Sequence, residues 1–374
     1  MKVVLIGPLP PQRGGIAHSN RMLLKNLSAK HDVLAVSFSR IIPKAIYPGK
    51  LQREEAGTHD GATLEIDSMN PVSWLKAKSR IREFGPDTIL FQWWTTFLVP
   101  CYLFLASGLK TRKAAICQNV FPHSEGPLKW LAEMAHSALA KAFLGKMDKL
   151  IAMSGSDKKL LGREFSRKEI SLYIEPPYDL DGVDAKAMGR EEAKEMLGLS
   201  GKNVVLFFGF VREYKGLRYL LEAMPEIAKE TGAKLLIVGE FWERKENYEN
   251  EIQRLGISDS VIIVDRYVPN AEVAKYFLAA DLLCLPYTAI SESGVIRMAF
   301  AFSTPILSTD VGGNPDHISD GLNGFIVPSM DGAQLAQKAV QFFRKKLYRK
   351  FSEGMREKRK ELDWSDEKEK SVLG

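Results

Sequence analysis

Short apolar strand-like runs, recurring along the whole length, constrain this chain more than any other feature. VVLIG, DVLAVSF, TILFQWW, AAICQNV and KLIAMS recur through the first half, and VVLFFG, KLLIVG, SVIIVD, LLCLPY, TPILST and GFIVP through the second. Helical segments lie between them. Continuous apolar strands alternating with amphipathic helices are the pattern of a parallel sheet covered on both faces, because such strands are buried on both sides. Two series imply two such sheets, an α/β fold of two Rossmann-like, doubly wound domains. Its 374 residues suit two domains of ordinary size. The break is expected after PPYDLDGVD, where Pro, Gly and Asp cluster, giving a first domain at 1–181 and a second starting at 182.

Composition excludes several classes. Cys101, Cys117 and Cys284 stand far apart inside apolar runs, with neither metal nor disulfide spacing, and read as small buried hydrophobes in a reducing compartment. The segment Thr88–Leu109 carries no charge and is long enough to cross a bilayer, but Gln92, Pro100 and Gly108 interrupt it. A core strand followed by a buried helix that Pro100 begins is the favoured reading. MKVVLIGPLPP has no long apolar core, so no secretory leader is read there and a cytoplasmic place is expected, with the inner face of the membrane as an option. The net charge of +6 is uneven: a surplus of 8 positive charges up to Asp181 and a deficit of 2 beyond it. A basic first half fits either an anionic surface or substrate, or a solvated face with no partner.

In open parallel sheets ligands sit beyond the carboxyl ends of the strands, so the residues after each run are the candidates. After the first strand, Gly14 and Gly15 precede a helix and bring bare amides to its positive end, which suits a phosphate; a tight turn explains them equally. The stretch is not GxGxxG, which argues against a nicotinamide or flavin oxidoreductase. After VVLFFG come Arg212 and Lys215, a fork and a point charge placed to neutralise a diphosphate, unless both are solvated. After LLCLPY comes Ser291-Glu292-Ser293-Gly294, then a helix from about Val295. Amides at Gly294 and Val295 beside a hydroxyl and a carboxylate suit a phosphate and a hydroxylated ring, or simply an N-cap.

These loops, in this order, resemble family 4 of the retaining glycosyltransferases, the group 1 family with the GT-B fold. The resemblance covers nearly the whole chain and is strongest from FFGFVREYKGLRYLLEAMP through LLIVGE, DRYVPNAEVAKYFLAADLLCLPY, ESGVI and DVGGNPDHISDGLNGFIVP. It implies two domains facing a cleft, 1–181 for the acceptor and 182–360 for the nucleotide-sugar donor. ELDWSDEKEK resembles the last helix of that fold, so 361–374 is expected to return to the first domain. The implied reaction moves a sugar from a nucleotide-diphosphate sugar to a hydroxyl with retention of configuration, and needs neither metal nor resident cofactor. Arg212 and Lys215 would stabilise the leaving diphosphate. Glu292, with Ser293, Gly294 and Val295, would hold the donor sugar; Arg266 and Tyr267 would lie beside the nucleobase, and Gly14 and Gly15 would approach the phosphates. CQNVFPHSE is similar to the family's cleft-facing strand end, which places Gln118 and His123 on the acceptor side with Trp93, itself either pocket lining or core.

Three positions depart from the family. Met298 and Ser303 replace the second Glu and the Gly of its Glu-x7-Glu and Ala-x-Ala-x-Gly-x-Pro pattern; a thioether accepts hydrogen bonds weakly, so the ribose must be held otherwise. Eight residues before Met298 stands Ile290, so Glu292 fits only if the loop is two residues shorter. Gln118 replaces the usual His. The expected partners are a nucleotide-sugar donor and a saccharide or lipid-linked acceptor of polysaccharide, lipopolysaccharide or glycolipid synthesis, with no nucleic acid. PLKWLAEMAHSALAKAFLGKMDKL reads as a basic amphipathic helix on an anionic membrane or as a core helix with a lysine edge. A nucleotide-sugar epimerase of the same architecture and a binding protein that has lost catalysis remain alternatives.

Overall fold

The eleven apolar runs all become strands, nine of them inside a sheet and two, SVIIVD and GFIVP, at the edges of one. In the computed structural model, which describes residues 1–12, 14–42, 63–120, 129–178 and 188–374, Val3–Ile6 and Val204–Phe207 are wholly buried. Burying one such side chain contributes about 1.5–3 kcal/mol. The chain divides into two units, Met1–Glu175 with Trp364–Gly374, and Pro176–Asp363. The domain break expected after 181 lies within 179–187, outside the described residues.

Among the described residues the first unit holds seven strands and the second six; the seven are β1 (Lys2–Ile6), β2 (Asp32–Arg40), β3 (Thr63–Asp67), β4 (Thr88–Trp93), β5 (Arg112–Cys117), β6 (Lys149–Ala152) and β7 (Glu169–Leu172). They form one sheet of order β3-β2-β1-β4-β5-β6-β7. All neighbours are parallel, as in Val4↔Leu34 and Val4↔Ile89. Helices α1 (Gly15–Ser28), α2 (Pro71–Phe84), α3 (Val99–Ala106), α4 (Lys129–Leu144) and α5 (Gly155–Glu164) accompany it. The uncharged segment from Thr88 resolves into β4, a 3-10 turn at Thr96–Leu98 and α3, with Pro100 in the first turn. Among the described residues no helix is long and apolar enough to cross a membrane.

The second unit holds six: β8 (Val204–Phe208), β9 (Lys234–Val238), β10 (Val261–Val264), β11 (Leu282–Leu285), β12 (Ile306–Thr309) and β13 (Gly324–Val327). Their order is β10-β9-β8-β11-β12-β13. The connecting helices are α6 (Arg190–Met196), α7 (Leu217–Thr231), α8 (Lys245–Arg254), α9 (Asn270–Ala279), α10 (Gly294–Phe302), the single turn α11 (Asn314–His317), α12 (Gly332–Arg344) and α13 (Tyr348–Leu362). Asp281, just before β11, ties this unit together. Its carboxylate accepts from Val204 N at 2.7 Å, from Lys194 Nζ at 3.0 Å and from Arg190.

The final helix, α14 (Asp366–Leu373), is grouped with the first unit. Ser365 caps it by accepting from Lys368 N, and Val372 and Leu373 are buried. Trp364 meets Tyr173 edge to face at 6.1 Å, Ser171 Oγ donates to Ser371 O at 2.6 Å, and Lys149 Nζ donates to Gly374 O at 2.6 Å. All three cysteines are buried, and burial pushes the Cys101 thiol up to about 12.

Candidate functional site

In the second unit the strand order reverses between β8 and β11, and a crevice forms beyond carboxyl ends at such a switch point. The loops leaving these two strands carry most of the residues singled out in the sequence. After β8, a 3-10 turn at Glu213–Lys215 leads into α7 through Gly216. That glycine has φ +64° and sits against the next loop: a β-carbon on it would lie 1.9 Å from Pro286 O. Thr288 N donates to Tyr214 O at 2.8 Å, so the two loops are stitched to each other.

Lys215 is buried, with its Nζ 3.3 Å from the Tyr287 hydroxyl and 5.0 Å from the Tyr287 ring centre. Burial, and then the charge of Arg212, lower its pKa from the ordinary lysine value. A β-carbon placed on Gly209 would lie 3.1 Å from Lys215 Nζ and 3.6 Å from Val295 Cγ2, so the ammonium and the first turn of α10 meet over one bare backbone position. Ser293 is the N-cap residue of α10 and makes no side-chain cap. The first amides of a helix, here Gly294 and Val295, have no intrahelical acceptor. A cation and a positive helix end converge here, which is a setting for an anion.

Arg212 is half-buried, with its guanidinium 5.3 Å from the Tyr214 ring centre and 5.1 Å from that of Trp242. Two aromatic faces hold the fork by cation–π contact. Trp242, after β9, lies 4.6 Å from Phe210, and Phe210 stacks at 6.4 Å on Tyr267, after β10. The expected nucleobase residue Tyr267 thus joins an aromatic row with Phe210 and Trp242, both missed in the sequence although GF and EFW directly follow strands. Arg266 behaves differently: it forms a double hydrogen bond with Glu272, at 3.2 and 2.5 Å. Arg266, helped by Lys275, holds that carboxyl at about 2.

Glu292 is a buried carboxylate. His317 Nε2 meets its Oε1 at 2.6 Å, with the two side chains 1% and 5% exposed. His317 was not singled out in the sequence; its one signal is that GGNPDH follows the strand TPILST. Below Glu292, Gly294 lies against Tyr178, whose hydroxyl accepts from Arg297 Nη2 at 3.1 Å. Burial, and then the Glu292 charge, push the Tyr178 hydroxyl above its usual range. Met298 stands half-buried in α10.

In the first unit, Gly14 is the N-cap of α1 at φ +112°, with no side-chain cap and nothing within 4 Å of its missing β-carbon, and Gly15 begins the helix. Gln118 is buried beyond β5, donating to Glu175 Oε1 at 3.1 Å and Gln92 Oε1 at 3.4 Å, while Ser19 Oγ also donates to Glu175. Trp93 goes to the core instead of an acceptor surface: it is fully buried, stacks on Phe143 at 5.2 Å and donates Nε1 to Val120 O at 3.2 Å. The strand it ends is central, so its ring points into packing. His123 lies outside the described residues. Among the described residues no group of three or more His, Cys, Asp or Glu is placed to hold a metal ion.

Known proteins resemble this chain in sequence and in fold. A family model described as glycosyl transferases group 1 matches residues 202–345. Spore coat protein SA of Bacillus subtilis is 31% identical over 145 residues, 37% of this chain and 38% of that protein. A D-inositol 3-phosphate glycosyltransferase of Segniliparus rotundus is 30% identical over 194 residues, 50% of this chain and 42% of the relative. The chain therefore spans well under two thirds of the length of these curated relatives. Among solved structures, sucrose-phosphate synthase from Thermosynechococcus elongatus superposes with a TM-score of 0.74 at 17% identity, covering 100% of this chain and 97% of the other. HepE of Anabaena in complex with UDP-glucose gives 0.73 at 14%, covering 96% and 95%. At such identities the likeness is one of fold.

Proposed function

We propose, for a chain whose residues 202–345 match the family model of the group 1 glycosyl transferases, that it moves a sugar from a nucleotide-diphosphate sugar to a hydroxyl acceptor with retention of configuration. The observation that carries the reading is the convergence of Lys215 Nζ and the first turn of α10 on Gly209, at the β8/β11 switch point. A leaving diphosphate gains negative charge as the glycosidic bond breaks. Fixed cations and amide dipoles aimed at that charge lower the barrier without reorganising. Lys215 supplies a buried point charge, Arg212 a planar fork held by Tyr214 and Trp242, and Gly294 and Val295 the amides. The reading requires no metal, because these groups provide the positive charge.

Glu292 would accept from hydroxyls of the donor sugar, and the Phe210–Trp242–Tyr267 row offers faces for a nucleobase. Gln118, in its amide and carboxylate network, is proposed for the acceptor side. HepE of Anabaena holds UDP-glucose in its solved structure, so uridine donors are the first to try. The acceptor class we propose is a saccharide or lipid-linked saccharide of polysaccharide, lipopolysaccharide or glycolipid synthesis, met in the cytoplasm at an anionic membrane face. The basic first half supports that placement.

The test is thermal stabilisation of the purified protein by UDP, ADP, GDP and dTDP in turn, since a ligand held by the folded state raises its melting point. The stabilising base then selects donors for turnover with and without acceptor. Stabilisation by one diphosphate and sugar transfer only with acceptor are expected. Donor turnover alone would mean an epimerase, and no stabilisation by any diphosphate would overturn the reading.

A further inference from the structure

We propose that His317 is a positioning residue for donor-sugar recognition: it fixes one oxygen of Glu292 so that the other is kept as an acceptor for a sugar hydroxyl. The inference rests on the transfer reading above and concerns only the sugar half of the donor. A carboxylate accepts and never donates, so the 2.6 Å contact requires the proton on His317 Nε2. Glu292 Oε2, in contrast, is buried and has no hydrogen-bond partner. A buried carboxylate oxygen left unpaired is costly, and a hydroxyl from a bound polyol is the kind of donor that satisfies it.

The segment that carries His317 is itself held from several sides. Asn323 Nδ2 donates to His317 O at 3.1 Å, while Ser319 N donates to Asn323 Oδ1 at 2.8 Å. Asn314 Nδ2 donates to Ser308 Oγ at 2.9 Å, pinning the start of α11 to β12. Phe300 lies with its ring centre 6.3 Å from the imidazole. The loop carrying Glu292 is locked to the one carrying His317, since Gly313 N donates to Ser291 O at 2.9 Å. Gly312, at φ +57°, approaches so closely that a β-carbon would lie 1.7 Å from Ile290 O. Two loops that far apart in sequence are thus fixed to each other by backbone contacts, with the His317–Glu292 pair as their side-chain link.

The experiment compares binding of a nucleotide sugar with binding of its bare diphosphate. The probes are UDP-, ADP-, GDP- and dTDP-glucose and GDP-mannose beside their diphosphates, using the pair that wild type holds most tightly. For His317→Leu the Kd of the nucleotide sugar should rise about tenfold or more, the loss expected for a hydrogen bond to a charged group. The Kd of the diphosphate should stay within about twofold. His317→Gln, which keeps an N–H donor, should recover most of the loss. Glu292→Gln should lose the same preference, and adding His317→Leu to it should cost nothing further. Should the leucine variant not fold, His317→Asn takes its place, because its amide is polar but too short to reach Glu292. Wild-type preference for the sugar in these variants overturns the inference, as does an equal loss for both probes. Wild type that binds no probe sinks the transfer reading itself.

Discussion

The Lys215 ammonium stands 3.3 Å from the Tyr287 hydroxyl, one residue from each side of the point where the second sheet reverses its strand order. Lys215 ends the turn beyond β8 and Tyr287 lies just beyond β11, so the contact is possible only because these non-consecutive strands are neighbours. Tyr287 is wholly buried and gives the charge a polar partner where water is excluded. A lysine kept there with no carboxylate beside it among the described residues is placed to meet an anion.

Lys215→Ala should lower kcat about 10²- to 10³-fold, the usual effect of removing one group that stabilises transition-state charge. Circular dichroism should be unchanged, because Lys215 is in a loop turn and not in the sheet. Steady-state kinetics on the variant decide it, and wild-type turnover would remove Lys215 from the chemistry.

The rate should fall on the alkaline side at a pH below that of an ordinary lysine, near 10.4. Burial depresses the Lys215 pKa in the folded protein, so the charged form is favoured less there than in the unfolded chain, and the positive charge is lost early as pH rises. A pH–rate profile taken with saturating donor measures this limb. The same limb should be missing from the residual activity of Lys215→Ala.

Arg212→Lys keeps the charge but removes the planar fork between Tyr214 and Trp242. Losing cation–π contacts of about 0.5–2 kcal/mol should raise the donor KM roughly two- to thirtyfold. An unchanged KM would mean that the fork does not touch the donor.

Gly216→Ala tests the seam between the two loops. The position combines φ +64° with an approach of 1.9 Å to Pro286 O, so alanine brings both backbone strain and a clash. A loss of about 1–3 kcal/mol or more is expected, seen as a melting point lower by several degrees. Calorimetry on the variant provides the measurement.

Asp281→Ala should be among the most damaging single changes in the second unit. It leaves Lys194, with its side chain 7% exposed, and Arg190 without their carboxylate. Breaking a buried pair from one side costs about 3–5 kcal/mol. Chemical denaturation should show that loss, whereas Lys194→Met, which removes the buried charge itself, should lose less.

The sheets were legible because most of their strands carry a continuous apolar run. β3 and β7, the edges of the first sheet, were not read, whereas β10 and β13, the edges of the second, keep such runs and were. Edge strands are covered on fewer sides, so TLEID and EISL keep glutamates or serine that break the apolar signal. The candidate site was legible where one loop carries it, as with Arg212 and Lys215 or Glu292 to Val295. The His317–Glu292 contact was not, because it joins loops 25 residues apart and depends on how β11 and β12 align. Trp93 was placed on the acceptor side from sequence alone, with core packing as the other reading. Only its stacking on Phe143, in a helix encoded some fifty residues later, decides for the core.

Residues 364–374 complete the first unit although they are encoded after the whole second one. During translation, the seat around Tyr173, Ser171 and Lys149 therefore stays open until residues 364–374 have followed the second unit out of the ribosome. A nascent chain halted near Asp363 would carry a finished second half and an unfinished first. Order of synthesis and order of completion are thus opposed, and the half that emerges first is sealed last.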